Sequence, residues 1–205
     1  MKRSAIIVLF MAFALIANAG NTRGAHSHHT QPHSQPHSQP HGQSHSQPHA
    51  QPHSSGPCNV APTRQGIVSA AMWAVNSKHF IHYSQSPSRW SGIHNHVCPF
   101  SKVPPTADCS SFVTWLYWSA FGKGKDFLNG QNWSAGYTGT MGNHGTAVSV
   151  AHARPGDVVL YGSAPYHHAT LYVGNNHVVS FGADGPAKLL PINYRSDYHV
   201  RSYLP

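Results

Sequence analysis

Glutamate is absent from this chain of 205 residues, and all five of its acidic residues are aspartates. A glycosidase that works through two carboxylates needs an adjacent acid pair and usually employs at least one glutamate. The composition therefore disfavours that class of enzyme. Lys and Arg give the chain a formal net charge of +8, but they are scattered along it and form no stripe. This distribution suits an anionic polymer as partner and argues against a nucleic acid.

Long apolar segments are also missing, apart from one near the amino terminus. Residues 5–17 form an uncharged, almost wholly apolar run behind Lys2 and Arg3. The 13 residues of this run fall short of the roughly 20 that a membrane-spanning helix needs. Ala17-Asn18-Ala19 then offers the small-x-small pattern of a cleavage site. We predict a signal peptide over residues 1–19 and a secreted protein with a net charge of +6 (8 − 2) and no stable membrane insertion.

Residues 20–57 contain no aromatic side chain and no aliphatic side chain larger than alanine. From Gln31 the tetrads QPHS, QPHS, QPHG, QSHS, QPHA and QPHS follow one another. Such a segment has no core to bury and its prolines favour polyproline II, which predicts a disordered, moderately stiff arm. The tetrad histidines are His33, His37, His41, His45, His49 and His53.

Three interpretations of this arm stay open. It is a solvated linker, a loose accessory site for Zn²⁺ or Cu²⁺ held by neutral imidazoles, or an arm that becomes cationic in an acidic compartment. The last interpretation follows because histidine titrates at about pH 6.5.

The chain has only three cysteines, and exported proteins meet an oxidising environment in which paired thiols become disulfides. A Cys58–Cys98 pair would tie the start of the folded domain to a loop rich in Pro and His, and would leave Cys109 free. Three cysteines allow three pairings, however, and connectivity cannot be deduced from sequence alone. A bridge through Cys109 would exclude catalysis by that residue.

Cys109 follows Asp108 at the start of a predicted apolar helix that ends at Gly122. Aspartate in that position caps a helix, and the thiol after it would lie over unpaired N–H groups at the positive end of the helix dipole. Both features favour the thiolate, the form that attacks carbonyl carbons. About sixty residues later, His168 opens a predicted strand. A papain-like hydrolase requires this combination of a helix-opening cysteine and a strand-opening histidine.

The remaining patterns predict an α+β domain over residues 58–205, with helices first and a short antiparallel sheet afterwards. An ordinary packing helix follows Thr63, which is placed to cap it. Gly174-Asn175-Asn176 has the composition of a hairpin turn between two strands. The predicted strands cover residues 158–161, 169–173 and 177–181.

Three segments occur in an order and at separations that together are specific. They are Asp108-Cys109-Ser110-Ser111-Phe112-Val113, Pro155-Gly156-Asp157-Val158-Val159 and His168-Ala169-Thr170-Leu171-Tyr172-Val173-Gly174. The set resembles the NlpC/P60 family of papain-like cysteine peptidases, most of all its phage-lysin-like and secreted members, over nearly all of residues 63–205. The resemblance implies a hydrolase that cleaves amide bonds in peptidoglycan stem peptides, with bacterial cell-wall peptidoglycan as partner and no required cofactor.

Carried over residue by residue, the resemblance implies that Cys109 is the nucleophile and His168 the general base. It implies that Tyr83 lines the site and helps the oxyanion region. Asp108 is expected to cap the helix and anchor a loop, and Ser110 to belong to the helix start, where backbone N–H groups would hold the oxyanion. Catalysis further requires that the sulfur be unoxidised, close to the imidazole and reachable from a groove.

The third catalytic position departs from the family pattern. The family usually places His, Asn or Gln twelve residues beyond the catalytic histidine, where this chain has Ser180. On a regular hairpin Ser180 would share a face with His168, roughly 7–8 Å away at the backbone, and a purely structural serine is the alternative. Asp184 and His199 are further polar candidates. Strand alternation points His167 to the opposite face from His168.

Two other functions stay open. Ser180 and the tetrad arm are compatible with a secreted histidine-rich metal- or surface-binding protein that has an inactive NlpC/P60-like domain. A papain-like acyltransferase or lipid hydrolase would use the same cysteine and histidine. We expect the protein to be a monomer.

Overall fold

A computed structural model of the protein describes residues 56–205. The predicted signal peptide and the tetrad histidines of the arm lie outside these described residues. No helix within residues 56–205 combines the length and the apolar character that a membrane crossing requires.

Residues 56–205 form four α-helices and three short 3₁₀-helices. The α-helices are α1 (Arg64–Ser77), α2 (Ser91–His94), α3 (Cys109–Phe121) and α4 (Thr138–Gly142). The 3₁₀-helices are η1 (Pro87–Trp90), η2 (Val150–His152) and η3 (Ile192–Tyr194). The Thr63 hydroxyl accepts a 3.0 Å hydrogen bond from the N–H of Gly66 and thereby caps α1. Asp108 caps α3 through the N–H of Ser111, and α3 ends before Gly122.

The strands of this region form a six-stranded sheet and a short parallel pair. In chain order they are β1 (His82–Tyr83), β2 (Thr106–Ala107), β3 (Thr146–Val148), β4 (Val158–Tyr161), β5 (His168–Gly174), β6 (His177–Ser180), β7 (Lys188–Pro191) and β8 (Tyr198–Ser202). The large sheet is antiparallel throughout, in the order β3-β8-β4-β5-β6-β7, whereas β1 pairs with β2 in parallel.

The strands predicted from the sequence are β4, β5 and β6, which lie side by side within this sheet. Asn175 and Asn176 join β5 to β6 with positive φ angles of 51° and 57°, the backbone conformation of a type I′ hairpin turn. The sheet is larger than the sequence indicates, because β3, β7 and β8 extend it on both sides.

Helix α3 lies at the centre of the domain, with 12 of its 13 residues buried. It packs against β5, α1 and α2, and a helix covered on all sides is apolar around its whole circumference. The architecture is therefore α+β, with helices packed on an antiparallel sheet, as the sequence predicts. This packing brings the start of α3 against β5, the two places where the candidate nucleophile and base lie.

Cys58 and Cys98 form a disulfide across a sequence separation of 40 residues, with their Cα atoms 5.5 Å apart. Cys109 is free. The bridge joins the entrance of the domain to the loop after α2, which is one of the three pairings that the sequence allowed. It leaves the sulfur at the start of α3 unoxidised.

Candidate active site

Cys109 is the first residue of α3 and its sulfur points toward β5. The backbone N–H groups of Ala169, Ser110 and Cys109 lie close enough to the sulfur to lower the pKa of the thiol. Ala169 follows His168 directly on β5, so the sulfur lies against the segment that carries the candidate base. The helix start and the strand start predicted from the sequence therefore meet in one place.

His168 opens β5, and its ring is held by the neighbouring strand. Thr170 pairs with Ser180 across the β5–β6 ladder, which makes Ser180 the diagonal neighbour of His168. Nε2 of His168 lies 2.9 Å from Oγ of Ser180. Nδ1 is therefore the ring nitrogen that Ser180 does not contact. His167, the alternative histidine, is exposed, as strand alternation predicts.

The hydroxyl of Ser180 also contacts the hydroxyl of Tyr194. Oη of Tyr194 lies 3.2 Å from Oγ of Ser180, and the Tyr194 ring meets the His168 ring edge-on at a centroid distance of 6.4 Å. Tyr194 also packs edge-on against Tyr161 at 5.1 Å. Sequence reasoning missed Tyr194, because it lies on η3 after a strand that carries no clear periodic signal.

The other two polar candidates for the third position lie elsewhere. The carboxylate of Asp184 accepts a 2.5 Å hydrogen bond from the backbone N–H of Tyr83 and lies 3.1 Å from Nδ1 of His82. His199 lies 3.1 Å from the carboxylate of Asp197. Ser180 is therefore the candidate that contacts the His168 ring.

Asp108 acts as a helix cap and a loop anchor. Its Oδ1 accepts hydrogen bonds from the Ser111 N–H at 2.7 Å and from the Ser110 hydroxyl at 3.0 Å. Its Oδ2 accepts a 2.5 Å hydrogen bond from Arg89, whose other terminal nitrogen donates to the carbonyl of Gly136 at 2.7 Å. Since the Ser110 hydroxyl is engaged by the cap, Ser110 can offer a substrate its backbone N–H.

Tyr83 lies beside the start of α3 because β1 runs parallel to β2. The register pairs Tyr83 with Ala107, two residues before Cys109. The ring is partly buried and packs against Phe181 at a centroid distance of 5.8 Å. Burial and the charge of a Cys109 thiolate both raise the pKa of Tyr83, so the phenol lies within electrostatic reach of the sulfur.

Burial keeps both members of the candidate pair neutral. Removal from water, then the nearby Asp108 carboxylate, raises the pKa of Cys109 to about 11, although backbone hydrogen bonds from Ala169 and others oppose the shift. Removal from water, then the Arg195 cation, lowers the pKa of His168 to about 4. The sequence prediction of a resting thiolate is therefore wrong, because desolvation outweighs the helix-start effect.

Both side chains of the candidate pair are almost fully buried. Cys109 is 5 % exposed and His168 is 3 % exposed, so the expectation of a sulfur open to a groove is not met in this conformation. Tyr83 and Tyr194, whose pKa values both respond to the charge of Cys109, are only partly buried.

Metal ligands do not cluster in the described domain. Among residues 56–205, no three His, Cys, Asp or Glu side chains are placed to hold a metal ion. The pairs His82–Asp184 and His199–Asp197 are exposed two-residue contacts.

Similar solved structures include the NlpC/P60 domain of the peptidoglycan hydrolase SagA, at 21% identity and a TM-score of 0.49, over 68% of this chain and 98% of that chain. The peptidoglycan hydrolase RipB from Mycobacterium tuberculosis matches at 20% identity and a TM-score of 0.47, over 69% of this chain and 67% of that chain. RipD from the same organism is described as a non-catalytic NlpC/p60 domain protein. It matches at 17% identity and a TM-score of 0.40, over 67% of this chain and 98% of that chain. No curated protein matches the chain.

A family model also matches part of the sequence. Residues 85–184 match the model of the NlpC/P60 family. This range holds the start of α3, all of β5 and all of β6, and with them Cys109, His168 and Ser180. This part of the chain, 100 of its 205 residues, therefore matches the NlpC/P60 family.

Proposed function

We propose that the protein is a secreted cysteine hydrolase that cleaves amide bonds in the stem peptides of bacterial peptidoglycan. The observation that carries this proposal is a free cysteine at the start of α3, a helix packed on β5, where His168 opens the strand and its ring contacts Ser180. The pair lies within the NlpC/P60 match. Secretion follows from the predicted signal peptide, and a monomeric state is part of the proposal.

The reaction would start from a neutral thiol and a neutral imidazole. Nδ1 of His168 takes the thiol proton as the sulfur of Cys109 attacks the amide carbonyl carbon, so charge develops only with the substrate in place. The backbone N–H groups of Cys109 and Ser110 are placed to stabilise the oxyanion. The imidazolium then gives its proton to the leaving amine and the C–N bond breaks.

Hydrolysis of the acyl-enzyme completes the cycle. Nδ1 of His168 accepts a proton from a water molecule, and the resulting hydroxide attacks the thioester carbonyl. The C–S bond then breaks, the product leaves with a carboxyl group, and the imidazolium returns its proton to the sulfur of Cys109. This sequence of proton transfers requires no metal or organic cofactor. Zn²⁺ or Cu²⁺ on the histidine-rich arm would be accessory to it.

The burial of Cys109 and the serine at the third position favour a second candidate function. A domain that binds peptidoglycan without cleaving it would tolerate a protonated, enclosed thiol. The acyltransferase or lipid-hydrolase alternative predicts turnover of ester or lipid substrates and no release of stem peptides.

Digestion of purified peptidoglycan, with mass analysis of the products, distinguishes these functions. We expect the wild type to release stem-peptide fragments and Cys109→Ala to release none while retaining the fold by circular dichroism. Equal release by both proteins would overturn the enzyme proposal. Absence of release by both, together with sedimentation of the protein with the wall, would establish the binding function in its place.

A further inference from the structure

The direction of the hydrogen bond between Ser180 and His168 is open, because a serine hydroxyl can act as donor or acceptor whereas a carbonyl oxygen can only accept. The Ser180 hydroxyl can donate its proton to Nε2 of His168 or accept a proton from it. If Ser180 donates, Nε2 is the unprotonated nitrogen and Nδ1 carries the proton of the neutral ring. A ring in that tautomer cannot take a proton from the Cys109 thiol at Nδ1.

The Ser180 hydroxyl lies between two partners, which offers a way to resolve this ambiguity. Its Oγ is 2.9 Å from Nε2 of His168 and 3.2 Å from Oη of Tyr194. Because serine has one hydroxyl proton, donation to Tyr194 leaves only acceptor sites for His168. Nε2 then carries the proton of the neutral imidazole, and Nδ1 keeps its lone pair.

We propose that Tyr194 is a positioning residue whose phenol oxygen accepts the Ser180 proton and thereby fixes His168 in the Nε2–H tautomer. Tyr194 and Ser180 together would thus perform the task that a single third residue performs in other members of the family. The catalytic consequence rests on the hydrolase function proposed above, whereas the tautomer itself does not.

The surroundings of Tyr194 hold its phenol in place. The hydroxyl of Tyr161 donates a 2.9 Å hydrogen bond to the carbonyl of Ile192, which anchors η3. The guanidinium of Arg195 lies over the Tyr194 ring, 5.5 Å from its centre. Burial raises the pKa of Tyr194, so the phenol stays protonated at neutral pH. It can therefore accept the Ser180 proton with a lone pair of the phenol oxygen.

The same hydrogen-bond direction serves both protonation states of His168. In the imidazolium formed after proton transfer, Nε2–H still donates to Ser180 and Ser180 still donates to Tyr194. No hydroxyl has to rotate during the reaction, and groups that need no reorganisation stabilise developing charge most effectively.

The first test reads the tautomer directly. ¹⁵N NMR of histidine-labelled full-length protein at pH 7, with His168→Gln to assign the signals, should show His168 protonated at Nε2. In Tyr194→Phe the fraction protonated at Nδ1 should rise, while Tyr198→Phe, which changes a neighbouring aromatic residue, should leave the signal unchanged. An identical His168 tautomer in the wild type and Tyr194→Phe would overturn the proposal.

The second test uses turnover of peptidoglycan fragments. Loss of one hydrogen bond that positions the base should lower kcat by about tenfold with little change in KM. In the Ser180→Asn background, the amide oxygen can accept a hydrogen bond from Nε2–H whether or not the Tyr194 hydroxyl is present. Tyr194→Phe should therefore change kcat by less than about twofold in that background. Equal loss in both backgrounds would show a merely structural role and overturn the proposal.

The two tests separate this proposal from the hydrolase function. A wild type that shows the tautomer change but releases no stem peptide would contradict the function and leave the positioning role of Tyr194 intact. If the wild type cleaves peptidoglycan but the His168 tautomer is the same in Tyr194→Phe, the positioning role alone is contradicted.

Discussion

Arg89 donates a 2.5 Å hydrogen bond to the carboxylate of Asp108, the residue immediately before the candidate nucleophile. The same guanidinium binds the carbonyl of Gly136, so one side chain joins η1, the cap of α3 and the loop before α4. The pair is mostly buried, with the Arg89 and Asp108 side chains 18% and 4% exposed. Buried ion pairs are costly to break because the remaining charge has no partner.

Replacement of Arg89 should therefore destabilise the domain. We expect Arg89→Met, which retains most of the apolar stem, to lower the free energy of unfolding by about 2–4 kcal/mol. Urea denaturation followed by tryptophan fluorescence measures the change. Arg154→Met is the matched control, because Arg154 makes an exposed hydrogen bond to the Leu204 carbonyl, and it should cost less than about 1 kcal/mol. Equal losses in the two variants would contradict the role assigned to the buried pair.

Neutralising Asp108 should make the Cys109 thiol more acidic. The carboxylate is the second cause, after burial, of a thiol pKa of about 11. Asp108→Asn removes that charge while asparagine still caps the helix, so the thiol pKa should fall and alkylation by iodoacetamide should begin at lower pH. Asp197→Asn is the control, since Asp197 pairs with the distant His199. An alkylation profile that stays in place or moves to higher pH in Asp108→Asn would contradict the prediction.

Local signals in the sequence were sufficient for α1, α3 and the central strands β4, β5 and β6. Thr63 and Asp108 are side-chain caps, and Asn175-Asn176 is a turn set by residues adjacent in sequence. Strands β7 and β8 lack such signals. Three of the four residues of β7 are exposed and it ends at Pro191, whereas β8 buries only Val200. Their places in the sheet depend on long-range pairing, which periodicity does not report.

The candidate site likewise contains some residues that local sequence patterns predict and others that depend on long-range pairing. The positions of Cys109 and His168 follow from a helix start and a strand start, and hairpin register places Ser180 beside His168. Tyr194 reaches Ser180 because β7 pairs with β6 and η3 follows β7 directly, so no local pattern reveals it. The protonation state of Cys109 was wrongly predicted because the sequence shows the helix start but not the depth of burial around it.

The disulfide should stabilise the domain and leave the reactivity of the Cys109 thiol unchanged. Closing a loop of 40 residues stabilises a folded chain by about 2–4 kcal/mol. We expect Cys58→Ala/Cys98→Ala to lower the free energy of unfolding by that amount and to leave the alkylation rate of Cys109 unchanged. Thiol titration of the denatured, unreduced wild type should give one free thiol per chain. Three free thiols, or none at Cys109, would contradict the pairing.

Acid should destabilise the protein through His168. Burial lowers the pKa of His168 to about 4, below the value of about 6.5 that histidine has in an unfolded chain. Between these two values the unfolded chain binds more protons than the folded one, so the free energy of unfolding decreases as the pH falls from about 6.5 to about 4. The decrease due to this residue is on the order of 3 kcal/mol.

Urea denaturation at pH 7 and pH 4 tests this prediction. His168→Gln has no imidazole to protonate at this position, so it should lose less stability between the two pH values than the wild type. Arg195→Gln removes a cation that lowers the pKa of His168, so that pKa should rise and the loss should shrink. Lys188→Gln removes an exposed cation that is not among the causes of the shift, and it should behave as the wild type. Equal losses in the wild type and His168→Gln would show that the acid sensitivity arises at another residue.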